Sequence, residues 1–461
     1  MSRHFDAIII GSGQGGGPLS TTFAGAGRKT ALIEREHVGG TCINEGCTPT
    51  KTMIASARVA YLAGRSEVYG VHTGRLSVDM ARVRQRKREI VEKFRTSSER
   101  SIRQGGVDLL MGQARFASSH SLEVAMHAGG IFELSADTIV IDTGARPSDP
   151  PMEGLDRVQH YNSTTIMELD EVPEHLIVVG GGYVGLEFGQ MFRRLGSRVT
   201  ITERAPQLLS REDPDVAEEV ANILRQDGVE VLLEAEATVC GRGGDGAIRL
   251  GARTPRGEQM VTGSHLLVAV GRSPNTDDLN LEAAGVTLDK RGFVQVNERL
   301  ETNVPGIYAI GDVAGSPAFT HISYDDFRIL RANLLEGGSR STKDRLVPYT
   351  VFIDPQLGRV GLGEKEARAQ GREVRVAKMP MNHVARAIEV DECRGMLKVV
   401  VDAETKQILG CAVLGIEGGE IMAMLEIAMM GKLPYTTLRN AIFAHPTLAE
   451  SLNNLFGTLD S

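Results

Sequence analysis

The stretch Gly39-Gly40-Thr41-Cys42-Ile43-Asn44-Glu45-Gly46-Cys47-Thr48-Pro49-Thr50-Lys51 sets two cysteines five positions apart and holds two of the chain's five. Joined sulfurs require Cα atoms within about 7 Å, and positions i and i+5 of a regular helix lie near or beyond that limit. A bridge here therefore needs a bend, which Gly46 between the cysteines and Pro49 after them permit. In a chain of otherwise cytosolic character, so small a ring reads as a disulfide that opens and closes during turnover rather than as a staple.

Upstream, the apolar run Phe5-Asp6-Ala7-Ile8-Ile9-Ile10 predicts a buried parallel strand and leads into Gly11-Ser12-Gly13-Gln14-Gly15-Gly16 and a helical stretch. A second strand, residues 30–33, ends in Glu34. Strand, glycine turn, helix, strand and acid form a dinucleotide site: glycines admit the pyrophosphate, the helix N-terminus faces its charge, and the carboxylate takes ribose hydroxyls. The pattern recurs at residues 175–203, with Gly180-Gly181-Gly182-Tyr183-Val184-Gly185 between the strands and Glu203 at the end. Two such units in one chain are far more specific than either alone. They imply two nucleotides held at once, and chemistry of that kind is usually electron transfer from one to the other.

Length and composition agree. At 461 residues the chain suggests two to four domains. The net charge of -8 and pI near 5.8 argue against nucleic acid or an anionic membrane as the main partner. A polar N-terminus running into a strand predicts no secretory signal, and no apolar stretch is long enough to span a bilayer, so a cytoplasmic location is expected. Cys240, Cys393 and Cys411 lack metal-ligand spacing and read as buried small apolar residues. Residues 79–103 predict a long helix whose basic residues are interleaved with Glu89, Glu92 and Glu99, a solvated face rather than a nucleic-acid element.

Short strands are expected at residues 107–111, 121–126, 131–134 and 138–145. Arg146-Pro147 and Pro150-Pro151 read as a linker. Gly306-Ile307-Tyr308-Ala309-Ile310-Gly311-Asp312 supplies another strand ending in a carboxylate. Toward the C-terminus, strands at 397–401 and 408–414 alternate with a helix at 420–430, where clustered methionines fit a packed core or subunit interface better than a metal site. His445 precedes Glu450 by five residues, a spacing that proves nothing alone. A dithiol accepts the two electrons of a hydride through an intermediary such as flavin, and a histidine held by a carboxylate is suited to move the accompanying proton.

Together the 39–51 segment, both glycine loops, the 307–312 segment and His445-Pro446-Thr447 resemble, in order and over essentially the whole chain, the class I pyridine nucleotide-disulfide oxidoreductases, which include dihydrolipoamide dehydrogenase, glutathione reductase and mercuric reductase. The resemblance implies an α/β protein with two Rossmann-like FAD- and NAD(P)-binding domains and an α+β C-terminal dimerisation domain. The implied boundaries are 1–148 and 272–343 for FAD, 149–271 for NAD(P) and 344–461 for the interface. It implies a homodimer whose C-terminal domain lends His445, with Glu450, to the partner's disulfide. Cys47 would be the thiolate nearest the flavin and Cys42 the exchanging thiol, with Lys51 near the flavin and paired with Glu187. Cofactor contacts are expected from Gly11, Gly13, Gly16, Glu34, Gly40, Thr41, Lys51, Ala114, Thr143, Gly144, Gly180, Gly182, Tyr183, Gly185, Glu203, Ala237, Gly271, Arg272, Gly311, Asp312 and Thr320. Among them, the resemblance implies, Tyr183 would cover the nicotinamide pocket and Asp312 would hold the ribityl chain.

Within the family, the ending Leu455-Phe456-Gly457-Thr458-Leu459-Asp460-Ser461 lacks the vicinal cysteines usual for mercuric reductases, and Phe443 replaces the first histidine of the His-x-His-Pro usual for dihydrolipoamide dehydrogenases. Residues 41–44, 50–52, 321–328, 340–342 and 450–453 look closest to mercuric-reductase-like flavoproteins that include the reactive-chlorine-resistance copper reductase. That resemblance implies a small oxidant or thiophilic ion such as Cu(II) as substrate, suited to soft thiolates. No resident metal is expected, only transient contact with Cys42 and Cys47. Glu45 adds a negative charge that would raise a thiol's pKa or attract a cation. Glu203 favours NADH by repelling the extra phosphate of NADPH, which Arg204 beside it could accommodate; because the repulsion acts directly, NADH is expected, with NADPH as the alternative. Dihydrolipoamide dehydrogenase, and a redox-sensing flavoprotein without turnover, stand as alternatives.

Overall fold

The computed structural model describes residues 3–460. The chain divides into two compact units, one of residues up to Thr52, Arg82–Ser148 and Gly271–Arg345, the other of Met53–Ala81, Asp149–Val270 and residues from Leu346 on.

The first unit opens with β1 (Arg3–Ile10), α1 (Gly16–Gly25) and β2 (Thr30–Glu34), followed by α2 (Gly40–Asn44) and the start of α3 (Cys47–Gly64), whose residues after Thr52 belong to the second unit. Then come α4 (Met80–Gln104), β3 (Asp108–Ser118), β4 (Ser121–Met126), β5 (Ile131–Ile141) and β6 (Ala145–Pro147). β1 pairs in parallel with β2 and β5, and the later strand Ile307–Ala309 pairs in parallel with β5. Because side chains alternate across a strand, Ile8 and Ile10 pack with Phe116, Leu122 and Val124 on one face. Ala7 and Ile9 pack on the other with Leu19 and Phe23 of α1 and with Phe327 and Leu330 of the helix Thr320–Leu335.

Two expectations change here. Residues 131–134 and 138–145 are not separate strands: β5 runs unbroken through Ser135 and Asp137, its first half antiparallel to β4 and its second parallel to β1. The polar residues that suggested a break lie where the strand changes partners. Arg146 and Pro147 are strand rather than linker, since β6 pairs antiparallel with Arg272–Pro274. The proline is tolerated in this two-stranded ribbon, where one side of the backbone has no ladder to complete. The basic helix α4 behaves as expected, with Val91 buried, Arg82 3.0 Å from Glu89 and Arg103 2.8 Å from Glu99.

The second unit contains β7 (His175–Val179), α5 (Tyr183–Leu195), β8 (Arg198–Thr202), β9 (Glu230–Leu232) and β10 (His265–Val268). These strands form a parallel sheet in the order β10-β7-β8-β9. Its C-terminal part is a five-stranded antiparallel sheet in the order Tyr349–Val351, Gln356–Gly361, Ile408–Gly415, Met396–Asp402, Val374–Pro380, with the helix Gly418–Met430 packed on it. In that helix Met422 is buried and Met430 is 62% exposed, so the methionines divide between the core and an open face. Among the described residues no helix is long and apolar enough to cross a membrane.

Candidate functional site

The bend that the cysteine spacing demanded is a break between two helices. Cys42 lies in α2, which stops at Asn44, and Cys47 begins α3. A Cβ on Gly46 would stand 2.9 Å from the Thr41 carbonyl oxygen, so only glycine lets the turn close. Pro49 sits in the first turn of α3, where its missing N–H costs no helical bond. It therefore starts the second helix rather than making the bend.

Cys42 and Cys47 stand as thiols joined by a hydrogen bond, and that bond, with burial behind it, pushes Cys42 well above the usual thiol range; Thr320 and Lys51 pull the other way. The hydroxyl of Thr320, first residue of its helix, lies 3.4 Å from Cys47 Sγ. Replacing Thr320 with valine keeps the shape and removes the donor. The pH midpoint for alkylation of the reduced dithiol should rise by about 1 unit, and an unchanged midpoint in an iodoacetamide titration would show that the hydroxyl has no such effect.

Around the first glycine loop the backbone is packed to its limit. A Cβ would stand 2.2 Å from the Asp142 carbonyl oxygen if placed on Gly11, 2.3 Å from the Gly11 carbonyl oxygen on Gly16, and 2.7 Å from Gly13 Cα on Gly40. Glu34 accepts hydrogen bonds from the Ser12 N–H (3.0 Å) and hydroxyl (2.6 Å) and from the Glu36 N–H (2.8 Å). The second loop repeats this: Glu203 accepts from Gly181 N–H at 2.6 Å and Ala205 N–H at 2.8 Å, and a Cβ on Gly185 would fall 2.1 Å from the Gly180 carbonyl oxygen. The internal repeat thus extends to individual hydrogen bonds.

The first unit gathers most of the remaining expected residues. Thr143 donates to the Asn275 carbonyl at 2.8 Å, beside Gly144, and Ala114 is buried in β3. Asp312 follows Gly311, and its Oδ2 lies 3.8 Å from Arg272 Nε, a buried donor without a hydrogen-bond partner, next to Gly271. Burial pushes the Asp312 carboxyl up, against the pull of Arg272. An unsatisfied guanidinium donor, a carboxyl acceptor and a cradle that only glycine backbone fits are what a flavin dinucleotide requires, and FAD fits them.

The second unit holds Tyr183 at the start of α5, Glu187, Ala237, His445 and Glu450. Glu187 is buried and accepts the Phe352 N–H at 2.8 Å. His445 Nδ1 lies 2.8 Å from Glu450 Oε2, with the imidazole 68% exposed. Facing a carboxylate acceptor, Nδ1 is the ring nitrogen that carries the proton, which leaves Nε2 free of this contact.

Sequence reasoning assigned no role to two buried acids beside the first loop. Asp326, fully buried, accepts Gly311 N–H at 2.9 Å and meets Arg345 at 2.6 Å. Asp142 accepts Gly16 N–H at 2.7 Å. The only signal for Asp142 was a carboxylate directly after the apolar run 139–141.

Comparison with known proteins gives this geometry its family. The model of the pyridine nucleotide-disulphide oxidoreductases matches residues 5–326, and that of their dimerisation domain matches residues 347–456. The probable pyridine nucleotide-disulfide oxidoreductase RclA of Escherichia coli (strain K12) is 40% identical over 98% of this chain and 98% of its own. A mercuric reductase of Lysinibacillus sphaericus is 33% identical over 99% of this chain and 83% of its own. A solved Cu(II) complex of the HOCl-induced flavoprotein disulfide reductase RclA from Escherichia coli superposes with a TM-score of 0.90 at 38% identity, covering 100% of both chains. The chain belongs to the pyridine nucleotide-disulphide oxidoreductases, and is an FAD-dependent disulfide oxidoreductase that draws its electrons from NAD(P)H.

Proposed function

We propose that this flavoenzyme passes electron pairs from NADH through the Cys42–Cys47 pair to Cu(II), with other thiophilic ions and small oxidants as poorer substrates. The observation that carries the reading is the hydrogen-bonded dithiol, in a chain that resembles over its full length a protein solved as a Cu(II) complex. FAD, held by the glycine loop, would supply a hydride acceptor and an electron-pair donor for the disulfide. Cys47, beside Thr320 and in the same unit as Asp312, would be the thiol nearest the flavin, and Cys42, whose thiol is pushed upward, would be the one that exchanges with substrate. Two Cu(II) ions then receive one electron each, the two thiols release two protons, and the S–S bond re-forms. Thiolate sulfur favours the Cu(I) product, which makes the pair a fitting transient ligand.

The remaining assignments follow the same reading. Residues 1–148 and 272–343 hold FAD, 149–271 the nicotinamide coenzyme and 344–461 the subunit interface. The exposed imidazole of His445, held by Glu450, serves the disulfide of the other subunit in a homodimer, and Lys51 lends positive charge to Cys42. Glu203, with both carboxylate oxygens engaged by loop N–H groups, favours NADH over NADPH by repelling a ribose phosphate. A dithiol that must cycle through its reduced form suits the cytoplasm.

The test is a panel of Cu(II), Hg(II), lipoamide, glutathione disulfide and quinones under NADH and then NADPH, with Cu(I) trapped by a chromogenic chelator. Cu(II) should give the highest kcat/KM and two Cu(I) per NADH, with NADH at least about tenfold better than NADPH, a difference of about 1.4 kcal/mol. Faster lipoamide turnover would make the protein a dihydrolipoamide dehydrogenase, and no turnover with any oxidant would make it a sensor.

A further inference from the structure

One buried carboxyl beside the flavin loop has no place in the electron path. Asp142 follows the last residue of β5 and is 7% exposed. Its Oδ2 lies 2.8 Å from where a Cβ would stand on Gly13 or on Gly16, and its Oδ1 3.1 Å from such a position on Gly311. Glycines therefore wrap the group on three sides, and the Gly16 N–H, 2.7 Å from Oδ2, is the donor that meets it.

The charged groups around it do not help it ionise. Glu34 from β2, Asp312 after the strand Ile307–Ala309 and Asp326 from the helix Thr320–Leu335 are all acids whose charges oppose a carboxylate here. Arg345 and Arg272 meet two of these acids, Asp326 at 2.6 Å and Asp312 at 3.8 Å. Among the described residues no ion pair reaches Asp142. Burial, outweighing the single N–H donor, pushes its carboxyl well above the usual range. FAD adds a diphosphate to the same loop and the same helix N-terminus. An ionised Asp142 would repel that diphosphate and compete with it for the helix end.

We propose that Asp142 is a flavin-binding residue that stands in the glycine cradle as a neutral carboxylic acid, so that FAD binds the protonated protein and ionisation of Asp142 expels it. Binding then takes up a proton wherever the FAD-free protein is ionised, and the FAD Kd rises tenfold per pH unit above that midpoint. The inference concerns flavin affinity alone, so its failure and that of the copper reading are separate results.

FAD-free protein, prepared by stripping the flavin, is titrated with FAD between about pH 6 and about pH 9, with flavin fluorescence reporting bound and free cofactor. The wild-type Kd should rise at least about tenfold across that range, while Asp142→Asn, isosteric and unable to ionise, should stay within about twofold. A flat wild-type profile, or an Asp142→Asn profile with the wild-type slope, would overturn the proposal. Should that variant not fold, infrared spectra of wild-type holoenzyme decide: a protonated-carboxyl stretch that shifts on isotopic labelling of aspartate, and weakens as pH rises in step with flavin release, is expected. Its absence at neutral pH would equally overturn the proposal.

Discussion

Replacing Cys42 with serine should leave a folded, yellow, dimeric protein whose Cu(II) reduction is slower by at least about 10³-fold, roughly 4 kcal/mol of transition-state stabilisation. The loss should be this large because an electron pair is stored only if both sulfurs take part: one thiol can neither form the ring nor return it to a dithiol. Cys42 and Cys47 are tied together by their hydrogen bond and flanked by Thr320 and Lys51. The two cysteine variants should therefore lose activity to the same extent but differ in colour. In Cys42→Ser the remaining thiol begins α3, where the helix N-terminus favours thiolate, and on the proposed assignment it is the thiol nearest the flavin. It should give a long-wavelength charge-transfer band without added NADH. Cys47→Ser should lose activity without the band. Quinones, which accept electrons directly from reduced flavin, should be reduced by both variants at near wild-type rates. A Cys42→Ser protein that keeps a tenth of its Cu(II) activity, or a band in Cys47→Ser, would remove the dithiol from the path.

The parts legible in the sequence are those where function dictates local spacing. Both strand-glycine-acid patterns fold as their spacing implies, and β7 and β8 span residues 175–179 and 198–202 as read. The cysteine segment bends where its glycine permits. What was hidden depends on contacts between residues far apart in the chain. Ser135 looked like a break because polar residues usually leave a sheet, yet it pairs with Ser121 on one side and His4 on the other. The ribbon joining Arg146 to Ser273 pairs positions more than a hundred residues apart, so no local signal marks it. Asp142 was visible as a residue but not as a problem: only the folded loop shows that glycines, not cations, surround it.

The same blindness covers a buried charge network in the second unit, and breaking it should have the largest effect on stability. Arg194 of α5 has a side chain only 4% exposed; it donates to the Asp354 carboxylate and to the Asp354 carbonyl at 2.8 Å, lies 3.2 Å from Asp227, and stacks 3.8 Å above the Tyr61 ring. Asp227 also meets Arg394 at 2.6 Å, and Arg394 meets Glu392 at 2.6 Å. Asp354 has no second cation holding its carboxylate among the described ion pairs, so Arg194→Ala leaves it buried and uncompensated, with a side chain 13% exposed. The expected cost is about 3–5 kcal/mol, seen as a fall of roughly 10 °C in Tm. If the stranded charge causes most of that loss, adding Asp354→Asn to Arg194→Ala should restore part of it, because the second change removes the charge that the first exposed. A cavity effect alone would make the two losses add. An Arg194→Ala protein within a degree or two of wild-type Tm would mean that Asp354 finds water or another partner at no cost, and that the network specifies geometry rather than supplying stability.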